Sequence, residues 1–182
     1  MIIAIYPGTF DPVHYGHIDV AGRAATIFDG LVVAVYDHGH PLEGLLFSTE
    51  ERVAMMKEAL RHLPKVVVES YRGLTVEYAR TKGARVIVRG LRVTHDFEFE
   101  YQRALTNKKL APEIETISLM TSLESAFLSS SMVKEIASVG GCVQDMVPPH
   151  VQAALQERMQ RRGSRTADLS KGGDHRGHPA FD

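Results

Sequence analysis

The chain has 182 residues, of which 44% are apolar and 24% charged; that is the size and make-up of one globular domain, and it excludes a disordered, collagenous or coiled-coil protein. Lys+Arg is 21 and Asp+Glu is 22, so no overall field draws the molecule to nucleic acid or an anionic membrane, and any phosphate it binds must be held by a local site. The single Cys142 cannot form an internal disulfide, the opening MIIAIYPGTF lacks a basic n-region, and no stretch approaches the roughly 20 apolar residues of a membrane span, which sets the expectation of a soluble cytoplasmic protein.

Short β-branched runs alternate with stretches of helical period. Strands are expected at Ile2–Tyr6, Leu31–Tyr36, Lys65–Glu69, Arg85–Val88 and Ile114–Met120, the middle three being almost continuous Val/Ile, as in strands buried on both faces. Between them, His17–Phe28 sets Ile18, Ala21, Ala25 and Phe28 on one face. Ser48–Leu60 opens on a capping box, Ser48 to Glu51, and turns Val53, Met56 and Leu60 inward. Gly73–Lys82 is a short helix stopped by Gly83. Asp96–Leu110 aligns Phe97, Tyr101, Ala104 and Leu105. Ser130–Val139 stops at Gly140-Gly141, and Pro148–Arg162 carries Val151, Ala154 and Leu155. The alternation predicts an α/β fold, a single Rossmann-like domain over residues 1–162 with a five-stranded parallel sheet and helices on both faces. Residues 163–182, with four Gly and few apolar groups, read as a disordered tail whose removal should leave activity nearly unchanged.

In such folds ligands sit at the carboxyl ends of the strands, and three segments there are suited to anions. After the first strand comes Tyr6-Pro-Gly-Thr-Phe-Asp-Pro-Val-His-Tyr-Gly-His17. Gly8 and Gly16 admit close backbone approach, Thr9 offers a hydroxyl, and His14 and His17 stand at a helix mouth, where free N–H groups favour phosphate. After the fourth strand comes Arg89-Gly90-Leu91-Arg92, whose guanidinium forks suit phosphate oxygens. The plainer reading of that segment pairs the arginines with Asp96, Glu98 or Glu100. After the fifth strand, Ser129, Ser130 and Ser131 stand at a helix start, with Lys134 one turn on. One serine suffices for capping, so three suggest a phosphate cradle. No Walker A, G-x-G-x-x-G, C-x-x-C, H-E-x-x-H or G-x-S-x-G motif occurs, and no protein metal-ligand set is expected.

Thr9-Phe10-Asp11-Pro12 with His14-Tyr15-Gly16-His17 resembles the T/H-x-G-H signature of the nucleotidyltransferase superfamily. Within it, the chain is similar to the bacterial phosphopantetheine adenylyltransferase family. YPGTFDPVHYGHID, FSTEERV, RGLRVTHDFEFEYQ and FLSSSMVKEIA carry the likeness across about Ile2 to Arg158. The resemblance implies transfer of the adenylyl group of ATP to 4′-phosphopantetheine with Mg²⁺, giving dephospho-coenzyme A and pyrophosphate, in a homohexamer that coenzyme A could inhibit. It implies that Thr9 and Phe10 contact ATP, that Thr9, Thr75 and Arg89 contact the pantetheine substrate, and that His17 stabilises the transition state. It also implies that Gly90, Leu91, Arg92, Glu100, Ser125, Ala126, Phe127, Leu128, Ser129, Ser130 and Ser131 surround the nucleotide.

One departure stands out. The family usually has a lysine in the loop after the second strand. Here that loop is Asp37-His-Gly-His-Pro-Leu-Glu-Gly44, with Pro41 or Glu43 nearest the lysine's place and His38 or His40 as substitute donors. The nucleophile, a phosphate monoester, needs no general base, because its second pKa is about 6. The work left to the protein is alignment and charge cancellation. Two other readings remain open: an acceptor such as nicotinamide mononucleotide or a CTP-dependent reaction, and a module that senses ATP or coenzyme A without turnover.

Overall fold

The computed structural model describes residues 1–39, 44–92 and 94–171. Its strands are β1 (Ile3–Gly8), β2 (Gly30–Tyr36), β3 (Val66–Tyr71), β4 (Val86–Leu91) and β5 (Glu115–Met120). Its helices are α1 (Tyr15–Ile27), α2 (Thr49–Leu60), α3 (Thr75–Thr81), α4 (Thr94–Leu110), α5 (Ser130–Ser138) and α6 (Pro149–Lys171). The sheet is parallel throughout and ordered β3-β2-β1-β4-β5. Chain order reverses between β1 and β4, which makes that pair the switch point where such sheets bind ligands.

Strand alternation divides the core. Ala4 and Tyr6 of β1 join Val86 and Val88 of β4 in a cluster with Val20, Ala21 and Ala24 of α1, Met56 and Leu60 of α2, and Val151 and Leu155 of α6. Ile5 and Ile87 point the other way, against Val76 and Ala79 of α3 and against Ala111 and Ile114. Helices thus cover both faces, as expected. The α2 start has the expected reciprocal cap: the Glu51 N–H donates to Ser48 Oγ at 3.2 Å and the Ser48 N–H to Glu51 Oε2 at 2.7 Å.

Three expectations need correction. The Lys65–Glu69 run is not buried on both faces. It forms β3 at the sheet edge, where Val67 is 55% exposed. The α4 stripe is not covered by this chain's core: Phe97 and Tyr101 stack on each other with ring centroids 5.9 Å apart, and Leu105 is exposed beside them. Helix α6 runs on to Lys171, past the boundary drawn at residue 162. Gly163 lowers helix propensity by only about 1 kcal/mol and does not by itself stop a helix. The rest of the tail expectation, 172–182, lies outside the described residues, as do His40, Pro41 and Glu43. No described helix is long and apolar enough to cross a membrane.

Candidate active site

The chain leaves β1 through a strained turn. Phe10 has φ 52°, a left-handed conformation that an aromatic residue rarely adopts. Its ring is packed edge-on between Tyr6, at 5.4 Å, and His17, at 4.9 Å. Gly8 is needed beneath it, since a Cβ there would lie 2.7 Å from the Phe10 ring. Asp11, 3% exposed, accepts the N–H groups of Leu46 and Phe47, both at 2.9 Å, and the Lys134 ammonium at 2.8 Å. It therefore ties two separate stretches of chain, the approach to α2 and α5, to the β1 turn.

The turn delivers His14 and His17 to the start of α1, their rings stacked at 3.6 Å. The His14 N–H donates to His17 Nδ1 at 3.3 Å, so the His17 proton sits on Nε2. Burial, and then the charges of His14, Arg92 and Arg89, hold the His17 pKa well below its ordinary value. Burial, followed by Arg92, lowers that of His14 to about 3. At neutral pH His17 is an uncharged imidazole with one N–H left to donate.

On β4, Arg89 donates through Nε and Nη2 to the Glu100 carboxylate at 2.7 and 2.8 Å, and through Nη1 to the Pro7 carbonyl at 2.6 Å. The plainer reading of this arginine is thus correct as far as its partner goes. The fork is held flat beside β1 and stays charged: burial disfavours its charge, and Glu100 more than offsets that. Arg92 reaches across to the Leu128 carbonyl at 2.7 Å. At α5, Ser129 caps the helix by accepting the Met132 N–H at 3.1 Å, and the Ser130 hydroxyl donates to the Pro12 carbonyl at 2.9 Å.

These groups enclose a cavity of about 380 Å³. Of the residues expected around a nucleotide, Thr9, Phe10, His17, Gly90, Arg92, Glu100, Ser129, Ser130 and Ser131 line it, and so does Lys134. Five do not. Leu91 ends β4, and its carbonyl accepts the Thr121 N–H. Ser125 is buried in a short 3-10 turn, Ala126 and the exposed Phe127 follow it, and Leu128 is in the core. A second cavity of about 410 Å³ adjoins the first, sharing Pro7, Gly8, Thr9 and Arg89. Its other walls are Tyr36, Tyr71, Leu74, Ile87, Arg103 and Asn107, with Thr75 hydrogen-bonded to the Tyr71 hydroxyl at 2.9 Å. His38 faces neither cavity. Its ring abuts Tyr36 and lines a third depression with Asp37 and Arg72.

Sequence reasoning missed Asp11 as a tether and Arg52 altogether. Arg52 is 1% exposed on the inner side of α2. The signal available was its spacing: Arg52 stands four residues before Met56 and eight before Leu60, on the same inward stripe.

The site invites comparison with known proteins. The cytidylyltransferase-like family model matches residues 5–136. A phosphopantetheine adenylyltransferase of Desulforudis audaxviator is 55% identical over 90% of this chain and 99% of its own length. That of Carboxydothermus hydrogenoformans is 50% identical over the same shares, and that of a Roseiflexus species 53% identical over 89% of this chain and 100% of its own.

The chain belongs to the phosphopantetheine adenylyltransferase family.

The fold is shared more widely: a solved structure described as a nicotinate-nucleotide adenylyltransferase of Vibrio parahaemolyticus superposes with a TM-score of 0.61 at 17% identity, over 90% of this chain and 94% of that one. In this phosphopantetheine adenylyltransferase family member, substitution of the missing loop lysine by His38 does not fit the geometry, because His38 lines the third depression. The cations that line the first cavity among the described residues are Arg89, Arg92 and Lys134.

Proposed function

We propose that the chain transfers the adenylyl group of MgATP to 4′-phosphopantetheine, giving dephospho-coenzyme A and pyrophosphate. The observation that carries the reading is the junction of the two cavities. A polar one, with histidine, arginines and serines, opens onto a second walled by Tyr36, Tyr71, Leu74 and Ile87, and Thr9 and Arg89 belong to both. That suits a polyphosphate on one side, a mixed apolar and amide arm on the other, and the acceptor phosphate between them.

In this reading, an acceptor phosphate oxygen attacks the α-phosphorus in line. The new P–O bond forms as the α–β bridging P–O bond breaks, and pyrophosphate leaves with the electron pair. Arg89, stiffened by Glu100 and the Pro7 carbonyl, holds the acceptor phosphate. His17 donates its Nε2 proton in a hydrogen bond to the α-phosphate oxygens as negative charge builds there. Arg92, the serines at the α5 start and Lys134 face the departing pyrophosphate. The two cavity carboxylates are already engaged, Asp11 by two backbone N–H groups and Lys134, Glu100 by Arg89. No described group of three or more potential ligands is built for a metal. Mg²⁺ would therefore arrive on the ATP phosphates, which is where this ion is usually held.

Three attributes follow as part of the proposal. The exposed Cys142 and the use of ATP suit the cytoplasm. The uncovered aromatic stripe of α4 suits a homo-oligomer, a hexamer by family resemblance. Coenzyme A, which carries both substrates' parts, suits inhibition by occupying both cavities.

The test is pyrophosphate release with MgATP and 4′-phosphopantetheine, beside nicotinamide mononucleotide with MgATP, and glycerol phosphate with CTP. Turnover with phosphopantetheine alone is expected, and His17→Ala should lower kcat on the order of 10²–10³-fold with little change in ATP affinity. Turnover with another acceptor would change the substrate; ATP binding without any turnover would favour a sensing module.

A further inference from the structure

Among the described residues Arg52 is the largest side chain buried to this depth, and nothing in the reaction above uses it. Its hydrogen-bond acceptors are all uncharged oxygens, and the carboxylates of Asp11, Asp37 and Glu50 act on its charge only from a distance, offsetting part of the cost of burial. Nη1 donates to the Thr9 carbonyl at 2.6 Å and the Tyr36 carbonyl at 3.0 Å, Nε to the Phe47 carbonyl at 3.3 Å, and Nη2 to Thr49 Oγ1 at 2.9 Å. Buried arginines are costly and are ordinarily paired with a carboxylate, and an apolar side chain of the same volume often gives a more stable fold. Packing does not explain this one.

Its position does. Thr9 follows β1, Tyr36 ends β2, and these strands are neighbours in the sheet. Arg52 clamps both carboxyl ends from one helix. Phe47 is held twice, its N–H by Asp11 and its carbonyl by Arg52. The first cavity is lined by Thr9, Phe10 and Asp11 but not by Arg52, which borders the depression on the other side. The Thr9 carbonyl is therefore drawn away from the first cavity. In a planar trans peptide the following N–H points opposite to the carbonyl, so the Phe10 N–H faces the cavity. Phe10 keeps its left-handed conformation, which persists only where the surroundings hold it; the Arg52 bond restrains that peptide from the Thr9 side, as Tyr6 and His17 restrain the ring.

The geometry points to Arg52 as a positioning residue for adenylyl transfer, orienting the Thr9–Phe10 peptide so that its N–H serves the phosphates between the two cavities. The inference rests on the proposed reaction. Lysine at this position keeps the charge but lacks the planar fork that serves Thr9, Tyr36, Phe47 and Thr49 together.

The experiment compares wild type, Arg52→Lys and Arg52→Met by steady-state pyrophosphate release, with competent sites counted by ATP binding. In parallel, the Phe10 amide resonance is followed on adding MgATP. Expected are a loss of about 100-fold or more in kcat per competent site in both variants, KM for either substrate within about threefold, and a Phe10 amide shift with MgATP in wild type that is absent in Arg52→Lys. Kcat per competent site within about threefold of wild type overturns the role, as does a loss confined to KM. If Arg52→Met fails to fold, Arg52→Lys decides. If both fail, a wild-type Phe10 amide that does not respond to MgATP overturns it, and one that responds supports it. Absence of wild-type turnover with phosphopantetheine would instead overturn the reaction, a different result from undiminished variants of an active enzyme.

Discussion

His14 and His17 show how strongly single positions are set by their surroundings. Both are neutral in the folded protein, because burial and nearby guanidinium groups depress their pKa values, His14 to about 3. In the unfolded chain each returns to about 6.5. Below that pH the unfolded state binds more protons than the native one, so stability falls as pH drops from about 6.5 toward the folded values and is fully present above it. The slope is at most about 1.4 kcal/mol per pH unit for each group. Urea unfolding at pH 7, 6 and 5 should show this loss, and His14→Gln should reduce the slope by about one proton. A stability flat across that window would mean that neither histidine is held neutral. The same neutrality implies that the acid limb of kcat comes from the acceptor phosphate, whose second pKa is about 6, rather than from His17.

At the scale of elements, the end of β1 decides the geometry. Gly8 leaves room for the Phe10 ring, and Phe10 in turn backs His17. Gly8→Ala puts a methyl 2.7 Å from that ring, and overpacking of this kind costs about 1–3 kcal/mol. The expected outcome is a lower Tm together with a fall in kcat as His17 loses its support; unchanged kcat would show that Phe10 does not set the imidazole. The elements themselves were legible because their signals are local. The Val/Ile runs, the Ser48–Glu51 cap and the glycines after α5 mark most strand and helix ends to within a residue or two; the exceptions are β4, which runs past Val88 through Arg89 to Leu91, and α6, which runs past Arg162 to Lys171. The convergence of the β1, β4 and β5 ends was legible from the parallel alternation. The Arg89–Glu100 pair, 11 positions apart, was within reach of the sequence. What the sequence could not carry were pairings across the fold. Arg52 with the Thr9 carbonyl and Lys134 with Asp11 join distant segments, and a charged residue does not announce its partner. Likewise, Ser125 to Leu128 look like part of a serine-rich cradle. Only the turn geometry shows Ser125 packed beneath the start of α1, close behind Gly16.

At the scale of the molecule, the side chains left uncovered have a pattern. Phe97, Phe99, Tyr101 and Leu105 on α4 and Met120 on β5 are all more than half exposed. Helix α4 packs on β5, so these side chains gather at the sheet's outer end, Phe97, Tyr101 and Leu105 on one face of α4 and Phe99 on another. Such a run rarely faces water in a monomer. Phe99→Asp with Met120→Glu should reduce the sedimentation coefficient toward that of a single chain while leaving the far-ultraviolet circular dichroism unchanged. Wild type sedimenting as a monomer would remove the case for an interface there.

The ties that close the site also bear on synthesis. The Ser130 hydroxyl meets the Pro12 carbonyl across 118 positions, and Lys134 meets Asp11 across 123. The turn after β1 is therefore made early by the ribosome but has no finished wall until α5 emerges. A nascent chain halted before Ser129 can pair β1 with β2, yet it lacks the α5 wall of the first cavity. Competence should appear abruptly, late in translation, rather than grow with length.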